Sequence, residues 1–95
     1  MTIEELRIEL GTIISSLTSS GFDNIDSETV EKIDKIILAT GESGMKEPKH
    51  LLENLSGAIK AIQEGKSKAE SGNVRLTALD FYLKNIPASE NIEDL

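Results

Sequence analysis

The stretch PKHLLENLSGAIKAIQE, residues 48–64, decides the fold. Leu51, Leu52, Leu55, Ala58, Ile59 and Ile62 recur at spacings of three and four. That spacing puts them on one side of an α-helix, in a stripe wide enough to face a core. Pro48 suits the first helical position, where a missing N–H is no loss. Gly65 suits the position just past the end, where only glycine turns the chain freely. One helix cannot bury such a stripe alone, so other helices must close over it.

The flanking sequence supplies them. Thr2 followed by Glu5 is a capping box, and Ile3, Leu6, Leu10, Ile13, Ile14 and Leu17 follow at helical spacing. The first helix is expected over about residues 3–19, ending near Gly21, with Gly11 inside it as a weak point. Phe22 to Asp26 reads as a short connection. Asp26 or Ser27 caps a second helix, whose buried side is marked by Val30, Ile33, Ile36, Ile37 and Thr40. Gly41 is expected to end it, and Gly41 to Glu47 forms a loop. After helix 3 breaks near Gly65, a fourth helix is expected from about Asn73. Its stripe is Leu76, Leu79, Leu83 and Ile86, widened by Val74 and Tyr82, and Pro87 stops it. Four amphipathic helices on short loops predict an all-α antiparallel four-helix bundle over residues 1–86. Residues 87–95, PASENIEDL, predict a flexible acidic C-terminal tail.

Composition narrows the class. The chain has 95 residues, 38% hydrophobic and 28% charged, which fits one small folded domain. There is no Trp, one Tyr and two Phe, so the core is built from Ile and Leu. The absence of Cys removes disulfides and thiolate chemistry. The acidic, amphipathic start is unlike a signal peptide, and no apolar run reaches the roughly 18 residues of a membrane span. The expected location is the cytoplasm, free or peripheral at the inner face of the membrane.

A net charge of −7 argues against nucleic acid, which needs a basic footprint. The charge is uneven. Residues 1–31 hold seven acids and one base, whereas residues 46–68 hold five Lys and three Glu. Solvated helix faces account for such blocks, as would an acidic face for a basic protein or a basic hairpin for an anionic surface.

No chemical motif is complete. Glu47-Pro-Lys-His50 has the Glu-x-x-His form of carboxylate-bridged di-iron bundles. A closed site needs a second such motif, and the chain has a single His. Asp26-Ser27 before an acidic helix is similar to the phosphopantetheine serine of acyl carrier proteins. Glu28 stands where those carry an apolar residue, so an N-cap is the simpler reading. Gly41-Glu-Ser-Gly44 with Lys46 lacks the spacing of a phosphate loop. No enzyme activity, cofactor or metal is expected.

The layout resembles the pediocin-type (class IIa) bacteriocin immunity proteins. The resemblance is closest from Ile13 to Leu79: IISSL, the capped helix NIDSETVEKI, a Gly-containing loop, LLENLSGAIKAI after Pro48, and the linker EGKSKAESGN. It implies a small cytosolic antiparallel bundle with a flexible C-terminal segment. The implied function is protection of a Gram-positive cell, exerted from inside on the complex of a bacteriocin with the membrane part of the mannose phosphotransferase system. In that family the C-terminal half contributes to recognition. The resemblance thereby implicates Lys66, Lys68 and Arg75 near the last hairpin, and Asn91, Ile92 and Leu95 in the tail. The other reading is a small acidic helical interaction module, regulatory or structural and open to dimerisation, that binds a basic protein. A carrier or small enzyme is the third class, for which a mass increase on Ser27 would speak.

Overall fold

The computed structural model describes residues 1–86; the expected tail, with Asn91, Ile92 and Leu95, lies outside the described residues. Those residues are all-helical, in four helices, with no strand among them. They are α1 (Ile3–Ser20), α2 (Ser27–Glu42), α3 (Lys46–Gln63) and α4 (Ala69–Lys84).

Helix α1 begins at the expected capping box. The Thr2 hydroxyl accepts the Glu5 N–H at 3.0 Å, and the Glu5 carboxylate accepts the Thr2 N–H at 2.9 Å. Two of the orphan donors at the helix start are thereby satisfied. Gly21 closes the helix at φ 74°, where a side chain would be strained.

Each helix packs on its neighbours in sequence, and α1 also packs on α4. The core is aliphatic with a single aromatic ring. Leu6, Leu10, Ile13 and Leu17 of α1 meet Ile33 and Ile36 of α2, Leu52, Leu55 and Ile59 of α3, and Leu76 and Leu79 of α4. Phe22 and Ile86 complete it. Thr40 is the largest polar side chain fully inside, and its hydroxyl lies 2.8 Å from the Ile36 carbonyl oxygen and 2.9 Å from that of Ile37. That bonding removes the cost of burying it.

Polar contacts at the helix ends accompany this packing. The Arg7 guanidinium donates to the Ile86 carbonyl at 3.3 Å, joining the start of α1 to the end of α4. The Met1 amino group donates to the Ser43 hydroxyl at 3.1 Å, joining the start of α1 to the end of α2. An exposed ion pair, Lys32 to Glu9 at 3.4 Å, spans α1 and α2.

Four local expectations are corrected. Helix α4 starts at Ala69 rather than near Asn73, so Ser71 and Gly72 are helical. The reason is packing. Gly72 is buried against Phe22, and a Cβ there would lie 2.6 Å from two ring carbons. The close approach offsets the poor helix propensity of glycine. Helix α2 runs through Gly41 to Glu42, and the chain turns instead at Gly44, with φ 75°. Pro48 occupies the third helical position of α3 rather than the first, which still lies within the first turn where no i−4 acceptor is lost. Val74 does not widen the buried stripe of α4: it is 62% exposed. Helix α3 does break where expected, with Gly65 at φ 78°.

Candidate interaction surface

The connection between α3 and α4 is short and tightly bonded. Gly65 N–H donates to the Ile62 carbonyl at 3.0 Å and Lys66 N–H to the Ala61 carbonyl at 2.8 Å. This turn projects the Lys66 and Lys68 side chains into solvent. Lys66 is 3.2 Å from the Glu64 carboxylate, a pair that is exposed and worth little. Lys68 is the N-cap of α4. Arg75 is exposed on α4, seven residues on, hence on the same side of the helix about two turns away. The fold therefore gathers Lys66 and Lys68 at one end of the molecule, with Arg75 farther along one flank. Asn91, Ile92 and Leu95 fall outside the described residues.

The residues around His50 do not form a ligand set. His50 is exposed, and its Nδ1 lies 3.6 Å from Glu53 rather than pairing with Glu47. Among the described residues no three His, Cys, Asp or Glu side chains gather in the manner of a metal site. Glu53 also accepts from Lys49 at 3.1 Å. That hydrogen bond, helped by the charges of Lys49 and His50, outweighs desolvation and holds its carboxyl below the usual 4.5. Ser27 is exposed at the first position of α2, after the N-cap Asp26, whose side chain makes no cap bond.

A shallow open hollow runs along the start of α3, lined by Lys46, Glu47, Lys49, His50, Leu51 and Asn54. Tyr82 of α4 is half-buried; burial, and secondarily the Glu47 carboxylate, raise its hydroxyl above the usual 10.0.

One surface feature escaped sequence reasoning. Phe81 is 70% exposed and Val74 62% exposed, on the face of α4 opposite its core stripe. Helical spacing carried a readable signal: Val74 and Phe81 are seven apart, and each is five residues from the core residue Leu79 or Leu76. Among the described residues no helix is long and apolar enough to cross a membrane. No protein-family model, no curated protein and no solved structure matches the chain.

Proposed function

We propose that this protein is an immunity protein of the pediocin type, an antiparallel four-helix bundle without enzyme activity. It would work in the cytoplasm, at the inner face of the membrane, by binding a bacteriocin–receptor complex. The observation that carries the reading is the α3–α4 hairpin, whose turn presents Lys66 and Lys68 to solvent, with Arg75 on its flank. Residues 46–86 hold seven Lys or Arg against five Asp or Glu in a chain of net charge −7. The cationic groups are therefore concentrated on the half that the resemblance implicates. The end contacts of Arg7 with Ile86 and Met1 with Ser43 support the antiparallel arrangement.

The test is protection of a bacteriocin-sensitive strain by the full chain and by a Lys66→Glu/Lys68→Glu/Arg75→Glu variant, challenged with a panel of pediocin-type bacteriocins. Protection against at least one member, lost in the variant while its melting temperature is kept, supports the reading. Protection that survives the triple change removes these cations from the mechanism.

A second reading has its own observation. The exposed Val74 and Phe81 on α4 favour a helical interaction module. Isolated exposed apolar residues are ordinary, but two large ones on one face of one helix point to a protein surface. Failure of the full chain to protect against any of the panel would leave this reading ahead.

A further inference from the structure

Helix α4 is apolar on two opposite sides. Leu76 and Leu79 face the core, together with Gly72 against Phe22. On the outer side, Val74, Thr77, Ala78 and Phe81 fall at positions i, i+3, i+4 and i+7 and are all exposed. They form one continuous strip about two turns long. A helix that is apolar on both sides is usually covered on both sides.

The ends of the strip carry opposite charges. Glu70 lies one turn before Val74, and Lys84 lies three residues after Phe81; both are exposed. The centre of the strip, between Thr77 and Ala78, is small. Two copies of α4 laid antiparallel about that centre would place Phe81 of each against Val74 of the other. Glu70 of each would come within reach of Lys84 of the other, and the small Thr77 and Ala78 would allow close approach at the two-fold axis. This is the self-complementarity an isologous interface requires, in which residue i meets j and j meets i.

Charge also selects this face. Residues 1–45 hold nine acids and three bases, so two α1–α2 halves repel each other. Helix α4 holds Glu70 and Asp80 against Arg75 and Lys84, with no net charge. Lys84 is already 3.0 Å from Asp80, but that pair is exposed and readily shared. The four strip residues themselves carry no charge and include one aromatic ring, in keeping with the composition of interface cores.

We propose that the outer face of α4 is a homodimer interface, occupied by α4 of a second copy in antiparallel register. The inference deepens the interaction-module reading and is independent of the immunity reading, because oligomeric state and protection are measured separately. A strip from one helix is smaller than a standard interface, so the dimer is weak and concentration-dependent.

The experiment is sedimentation equilibrium of the full chain from about 1 μM to about 1 mM, a range that brackets weak association. The expected result is a reversible monomer–dimer equilibrium. Phe81→Glu should raise the dissociation constant at least about thirtyfold, the size of a hot-spot loss. Its far-UV spectrum and melting temperature should match those of monomeric parent protein, since Phe81 is 70% exposed. Glu70→Lys should weaken the dimer about fivefold, and adding Lys84→Glu to it should restore most of the affinity, as expected for charges that face each other across the axis. A chain that stays monomeric throughout overturns the proposal. A dimer that survives Phe81→Glu overturns it too, by placing the interface elsewhere. A dimer seen only after residues 87–95 are removed would assign the strip to that segment in the free protein and overturn it likewise.

Discussion

A methyl group added at Gly72 would collide with the Phe22 ring, two of whose carbons stand 2.6 Å from the position of the new Cβ. Phe22 is only 5% exposed, so the ring has little room to withdraw. Two effects compete. Alanine favours a helix interior by about 1 kcal/mol over glycine, whereas overpacking a tight contact costs about 1–3 kcal/mol. Gly72→Ala is therefore expected to lower stability in a denaturant titration. In a Phe22→Leu background, where the ring is gone, the same change should be neutral or stabilising. A loss of equal size in both backgrounds would show that the ring is not the obstacle. Two titrating side chains give a pH prediction of the same local kind. The Glu53 carboxyl is held below 4.5, mainly by Lys49, so its contribution is present above about pH 4.5 and is lost as pH falls through its lower folded value. The Tyr82 hydroxyl is raised above 10.0, so its contribution is present below pH 10 and is lost as pH rises through the folded value. Tyr82→Phe should flatten the alkaline limb of the stability profile, whereas Lys49→Met, at an exposed pair, should change the acid limb little. Denaturation midpoints measured across both limbs check this, and an unchanged alkaline limb in Tyr82→Phe would place its cause elsewhere.

Helix α3 contributes Leu52, Leu55 and Ile59 to the interior, each 1% exposed or less. Leu55→Ala is expected to cost about 2–5 kcal/mol, the lost transfer free energy plus a cavity term, a large share of the stability of a small domain. A midpoint and slope unchanged from the parent would mean that Leu55 does not lie in the core. Helices α1 and α3 were legible because their signals are local. Thr2 and Glu5 satisfy each other within one turn, and the α3 stripe repeats without interruption. The start of α4 was not legible, because Ser71 and Gly72 read as a linker until Phe22, some fifty residues earlier, is placed against Gly72. The sequence does not locate the end of α2, because both Gly41 and Gly44 are plausible stops and only the backbone shows which takes positive φ. Spacing alone reads Val74 as inward because α4 has apolar residues on two sides and the pattern does not say which side meets the core. Of the candidate surface, Lys66, Lys68 and Arg75 are exposed, which is the default for such residues and says nothing of a partner, and the two-sidedness of α4 emerges only with its burial.

Within the molecule as a whole, Ile86 is the last core residue among the described residues. That residue is 7% exposed, belongs to the core, and offers its carbonyl oxygen to the Arg7 guanidinium at 3.3 Å. Among the described residues the core cluster draws on all four helices, Phe22 and Ile86. A chain stopped at Ile86 should therefore keep its helical content and nearly its full stability. Its new carboxylate would even lie beside Arg7, replacing a carbonyl acceptor with a charged one, which is the stronger partner. A chain stopped at Lys84 loses the Ile86 side chain and the Arg7 acceptor together. Burial of an isoleucine is worth about 1.5–3 kcal/mol, and the hydrogen bond adds about 1 kcal/mol. In a domain of this size each kcal/mol shifts the melting temperature by roughly 4–8 °C, so the shorter chain should melt lower by about 10 °C or more. Thermal melts of the three lengths, followed by far-UV circular dichroism, separate the possibilities. A marked loss already at Ile86 would mean that residues 87–95 contribute to the fold. No loss at Lys84 would mean that α1 and α4 hold together without their joint at Ile86. The expected order, with full length and the Ile86 stop nearly equal and the Lys84 stop well below, assigns folding to residues 1–86. Any effect of residues 87–95 on protection would then be an effect on binding and not on the bundle.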